Sequence, residues 1–120
     1  MAGKKVLVVD DSPTQLSIMC APFEKNGYTV IAATDGEEAL NKVEAERPDL
    51  VVLDVIMPRL NGFQACRKIK KAAPATKVIM LTSKNQKSDE FWGKKQGADM
   101  YMTKPFDENE LFENAMKLMG

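Results

Sequence analysis

The chain contains no histidine. That excludes imidazole-based triads, histidine-ligated metal sites and a role as a phosphohistidine carrier. Cysteine is scarce: Cys20 and Cys66 stand far apart with no Cys-x-x-Cys spacing, which speaks against a disulfide framework or a zinc site. They read as two buried or semi-buried thiols of a reducing cytoplasm. Net charge is also lacking, with 17 basic residues against 17 acidic ones. A general nucleic-acid binder usually carries a clear basic excess, so no nucleic-acid partner is expected. Long apolar runs are missing as well. Behind Lys4 and Lys5 the first run is only Val6 to Val9, whereas a signal-peptide core needs about 7–15 apolar residues and a membrane span about 20. A cytoplasmic protein with no membrane partner is the expectation. No linker, repeat or low-complexity stretch interrupts the sequence. Its 120 residues fit one domain, 1–120, with no room for a separate output domain, and a monomer is expected.

What is present is a regular alternation. Short apolar runs recur at Val6–Val9, Val30–Ala33, Leu50–Leu53, Val78–Leu81 and Met100–Met102. Their continuous, largely β-branched character predicts parallel strands covered on both faces, the weaker fifth suiting a sheet edge. Amphipathic stretches lie between them. Ser12 is a good N-cap, Pro13 suits the first helical position and Gln15 completes a capping box. Leu16, Met19 and Phe23 follow at helical spacing; Gly27 can end this helix in a left-handed conformation, and Pro22 predicts a kink inside it. A second helix starts at about Asp35, turns Ala39, Leu40 and Val43 inward, and is stopped by Pro48. A third follows Asn61 and Gly62 and buries some of Phe63, Cys66 and Ile69. A fourth begins near Ser88 or earlier and ends at Gly97. The fifth opens at Asp107, paired with Glu110, and turns Leu111, Ala115 and Leu118 inward. Five strand–helix repeats with right-handed crossovers give an α/β fold, a parallel sheet with helices on both faces. Function in such folds lies at the carboxyl ends of the strands.

Those ends carry Asp10 and Asp11, then Asp54, Thr82 and Ser83, and finally Thr103, Lys104 and Pro105. A parallel sheet brings them to one edge. Converging carboxylates repel and resist ionisation unless compensated, and a divalent cation plus a lysine would compensate them. Oxygen donors without cysteine or histidine favour a hard ion, Mg²⁺ first and Mn²⁺ second. A carboxylate beside such an ion and an ammonium can act as a nucleophile toward phosphorus. Taken singly, each residue has a plainer reading: an acidic pair near a helix start caps it, and a strand-end aspartate forms a turn.

Together, the motifs Val8-Val9-Asp10-Asp11-Ser12, Asp54-Val55-Ile56-Met57-Pro58 through Gly62, Leu81-Thr82-Ser83 and Gly97-Ala98-Asp99 through Lys104-Pro105-Phe106 resemble a receiver domain of the bacterial two-component response-regulator family. The likeness covers essentially the whole chain. It implies a five-stranded sheet of order 2-1-3-4-5 flanked by five helices, the flavodoxin-like arrangement. It implies that Asp54 is the phosphoacceptor, that Asp10 and Asp11 bind metal, one of them through water, and that the backbone carbonyl of Ile56 joins them. It implies that Thr82 and Lys104 contact the phosphoryl group and that Tyr101 swings inward when Thr82 moves. It further implies a histidine kinase as phosphodonor and an output protein, of unknown identity, on the face made by the fourth helix, fifth strand and fifth helix.

Gly93 stands where that family usually has a small buried alanine. It places Phe91 and Trp92 on flanking faces of the fourth helix, so both can hardly be buried, and it costs about 1 kcal/mol of helix propensity. A softened helix bearing aromatics suggests a partner surface. The run from Phe91 to Gly97 resembles receivers of the twitching-motility and phototaxis type. The alternative to a phosphorylation switch is a flavodoxin-like binding module, either a scaffold or an FMN carrier. The acidic loop Asp10-Asp11-Ser12-Pro13 is unlike a phosphate cradle, which wants glycine and hydroxyls.

Overall fold

The computed structural model describes residues 4–57 and 60–120. Pro58 of the second motif and the first three residues lie outside the described residues. The elements alternate from the start: β1 (Lys5–Val9), α1 (Pro13–Lys25), β2 (Thr29–Ala33), α2 (Gly36–Glu46), β3 (Leu50–Leu53), α3 (Gly62–Ala72), β4 (Lys77–Thr82), α4 (Lys87–Lys95), β5 (Met100–Thr103) and α5 (Glu108–Met119). All strand pairs are parallel and the order is β2-β1-β3-β4-β5.

Strand side chains alternate between two cores. Leu7, Val9, Val51, Leu53, Val78 and Met80 face α2 and α3, meeting Ala39, Val43, Ala65, Cys66 and Ile69. Val6, Val8, Leu50, Val52, Ile79 and Leu81 face α1 and α5, meeting Met19, Phe23, Leu111 and Ala115. Each Val or Leu so buried stabilises the fold by about 1.5–3 kcal/mol relative to exposure. On the second face Phe23, Tyr28 and Phe112 form an edge-packed trio, with ring centroids 5.8–6.2 Å apart. Lys25 and Glu108 bridge the same two helices at 2.7 Å.

The central strands β1, β3 and β4 are buried on both faces as expected. β2 is not: Ala32 is exposed and Val30 and Ile31 are half-buried. Its place at the sheet edge, with β1 as its neighbour, leaves one flank open.

The helix ends follow local chemistry. Ser12 caps α1 by accepting from the Gln15 amide at 3.3 Å, and Asp35 caps α2 by accepting from the Glu38 amide at 2.8 Å. Asn61 and Gln64 form a full capping box on α3. Asp107 accepts from the Asn109 and Glu110 amides. α1 continues through Pro22 to Lys25, and the Asn26 side chain then donates to the Pro22 carbonyl at 2.6 Å. Gly27 follows with φ +79°, the left-handed close expected of it. α4 starts at Lys87, one residue before Ser88.

Candidate functional site

The carboxyl edge of the sheet gathers the ends of β1, β3, β4 and β5. Asp10 and Asp54 are buried there, and the Lys104 ammonium lies between them, 2.7 Å from Asp10 Oδ2 and 3.0 Å from Asp54 Oδ2. Burial by itself would pull the lysine down. The hydrogen bonds and charges of Asp10 and Asp54 outweigh it and hold the ammonium above its ordinary range. The lysine therefore stays charged at neutral pH.

The remaining carboxylate oxygens are fixed by the chain itself. Asp10 Oδ1 accepts from the Ser12 amide at 2.9 Å, and Asp54 Oδ1 accepts from the Ile56 amide at 3.0 Å. Thr82 Oγ1, fully buried, accepts from the Lys84 amide at 3.4 Å. In all three cases a strand-end oxygen bonds the amide two residues on, which turns the chain out of the sheet and aims the side chain along its edge. The turn-forming role expected of a strand-end aspartate is thus present at Asp10 and Asp54, and Thr82 shares it.

Gly62 and Gly36 also position the edge. A Cβ on Gly62 would run into the backbone of Asp54 and Val55, and its amide donates to the Val55 carbonyl at 2.9 Å. α3 can thus start directly against the end of β3. A Cβ on Gly36 would meet the Leu60 backbone at 2.5 Å.

The structure brings Asp10, Asp54 and Lys104 into direct contact. Asp11 is exposed beside them, and Ile56 is 51% exposed. Among the described residues no three acidic side chains close on one point: Lys104 bridges Asp10 and Asp54, and the exposed Asp11 does not join them. Tyr101 is half-buried on β5, and its hydroxyl donates to the Lys84 carbonyl at 2.7 Å. Burial first, then the charges of Asp89, Asp54 and Glu90, push its phenol up to about 12. Phe91 and Trp92 are exposed by 57% and 56%, stacked edge-on at 6.1 Å, with the Lys95 ammonium 5.4 Å from the Phe91 ring. The expectation that the two could hardly both be fully buried holds.

Both the sequence and the fold have known relatives. The model of the response regulator receiver domain matches residues 6–116. The chain belongs to the response regulator receiver domain family. This receiver is 45% identical over 111 residues to Protein PilH of Pseudomonas aeruginosa, covering 91% of the chain and 92% of that protein. It is 45% identical over 109 residues to the alkaline phosphatase synthesis transcriptional regulatory protein PhoP of Bacillus subtilis, covering 91% of the chain. There the receiver spans only 45% of the relative's length. Among solved structures, the chemotaxis protein CheY4 of Vibrio cholerae superposes with a TM-score of 0.91 at 32% identity, covering 98% of this chain and 99% of that one. The BeF3-activated DrrB receiver domain gives a TM-score of 0.91 at 34% identity, covering 99% and 98%. Among the described residues no helix is long and apolar enough to cross a membrane.

Proposed function

We propose that this receiver is a phosphorylation switch whose acceptor is Asp54. A carboxylate oxygen of Asp54 attacks the phosphorus of a kinase phosphohistidine. The P–N bond breaks, its electron pair stays on the imidazole nitrogen, and an aspartyl phosphate remains. The observation that supports this most is the single Lys104 ammonium shared by the buried carboxylates of Asp10 and Asp54. As charge moves from the carboxylate to the phosphoryl oxygens, Lys104 can follow it within the same site. Catalysis extends only to the protein's own phosphorylation and dephosphorylation.

Asp10, Asp11 and Asp54 outnumber the one ammonium, and all the donors are oxygen. That set suits a hard divalent ion. Mg²⁺, or Mn²⁺ in its place, would be held by these carboxylates and the Ile56 backbone carbonyl, and would neutralise charge on the phosphoryl oxygens. Thr82 would donate its hydroxyl proton to the phosphoryl group and give up the Lys84 amide. Tyr101 and the face of α4, β5 and α5 then change their preferred partner, a shift between two populations. The histidine kinase is one partner and an output protein on that face, with Phe91 and Trp92, is the other. The setting is the cytoplasm and the working unit a monomer.

Incubation with Mg²⁺ and acetyl phosphate, followed by intact-protein mass measurement, tests the reading. One phosphoryl is expected on the wild type, and none on Asp54→Asn or after chelation of the metal. An unchanged gain in Asp54→Asn would sink it.

A further inference from the structure

Gly93 is the buried residue of the nine-residue helix α4; the others are exposed, apart from half-buried Asp89. A helix docked through its glycine is held by backbone rather than by a side chain. What it rests on is specific. A Cβ built on Gly93 would lie 2.8 Å from Tyr101 Cδ2, 3.0 Å from Tyr101 Cε2 and 2.8 Å from Met80 Sδ. The Met80 sulfur belongs to a flexible side chain and can shift. The Tyr101 ring is pinned at its far end, where its hydroxyl donates to the Lys84 carbonyl at 2.7 Å. Lys84 is in turn tied to the site, its amide donating to Thr82 Oγ1 at 3.4 Å. A continuous line of contacts therefore runs from Thr82 through the backbone of Lys84 and the Tyr101 ring to Gly93, and next to Gly93 stands the exposed Trp92.

We propose that Gly93 is the positioning residue for Tyr101: its missing side chain opens the slot between α4 and β5 that the ring fills, and through that contact the position of Tyr101 sets the position of α4 and its Phe91–Trp92 pair. The glycine is then a steric requirement, and the helix propensity it gives up is the cost of the slot. The same contact explains how a helix with so little buried side chain can respond to the site. The steric part stands on the structure alone; the transmission part rests on Asp54 being phosphorylated.

Two measurements separate these parts. The first is a thermal-unfolding cycle on the full chain with Gly93→Ala, Tyr101→Ala and the double variant. In a helix with free space, alanine for glycine raises the midpoint. Here Gly93→Ala is expected to lower it by several degrees in the wild type and to raise it in the Tyr101→Ala background, where the slot is empty. A rise in the wild type, or the same change in both backgrounds, overturns the proposal. The second uses acetyl phosphate and Mg²⁺ as probe, reading phosphoryl mass and Trp92 emission on the same samples. Wild type and Gly93→Ala are expected to gain the same mass, while the emission change is lost in Gly93→Ala. Equal mass and equal emission change in both would overturn the transmission. No mass gain in the wild type would overturn the phosphoacceptor reading, and the unfolding cycle would still decide the slot.

Discussion

Lys104 Nζ and Asp54 Oδ2 are 3.0 Å apart although 50 residues separate them in the chain. With Asp10 at 2.7 Å on the other side, one ammonium compensates two buried carboxylates. Lys104→Met should leave both acids facing each other without compensation and cost about 3 kcal/mol, the scale for breaking a buried pair from one side. Urea unfolding near neutral pH measures it. Adding Asp54→Asn should return part of the loss by removing one of the charges. A loss below about 1 kcal/mol would mean that the ammonium is not what holds the acids together.

Tyr101 sets an alkaline limit. Its phenol is held at about 12 in the fold by burial and by Asp89, Asp54 and Glu90, against about 10 in an unfolded chain. Its contribution is complete below about 10 and falls as pH rises further, because the unfolded chain releases a proton that the folded chain keeps. It is gone once pH passes the folded value. Lys104, also raised, acts with the same sign. Tyr101→Phe isolates the phenol: its stability should decline less steeply above about pH 10 than the wild type's. Identical slopes would refute the assignment.

Gly62 seats α3 against the end of β3, where a Cβ would meet the backbone of Asp54 and Val55. Backbone cannot yield as a side-chain tip can. Gly62→Ala should destabilise by about 2 kcal/mol, within the usual range for overpacking, and slow the gain of phosphoryl mass because Asp54 shifts. A variant as stable and as reactive as wild type would show that the loop has slack.

The phosphoryl lifetime should be long. Ile56 lies two residues beyond Asp54, half exposed and apolar, so its side chain cannot orient a water for attack on the aspartyl phosphate. In Mg²⁺ alone the half-life should run to minutes rather than seconds. Ile56→Asn should shorten it about tenfold, corresponding to ~1.4 kcal/mol of barrier. Decay of phosphoryl mass with time gives both values.

Much of this fold could be read from apolar runs and helix stops, because strand burial and helix capping are local effects. The gathering of Asp10, Asp54 and Lys104 was legible for a related reason: each ends a strand, and a parallel sheet puts strand ends on one edge. Asp11 differs from Asp10 only in which way the chain turns after β1, and that depends on the Ser12 amide bonding Asp10. Apolar character could not reveal that β2 has a neighbour on one side only, since strand order is not a property of a run of residues. Gly93 is legible only in part. Helix propensity marks it as a weakness, while the ring it accommodates comes from another strand and leaves no trace in the sequence around it.

The trio of Phe23, Tyr28 and Phe112 joins the first helix to the last. During synthesis the chain emerges from its amino end, so α1 must wait for α5 before Phe23 and Met19 are covered. One of the two cores can assemble before α5 is made, from β1, β2, β3, β4, α2 and α3. The other stays open to water until almost the last residue described here has been made. A nascent chain halted between β5 and α5 should therefore display a single long-lived greasy face, and it is there that chaperones would be expected to hold it.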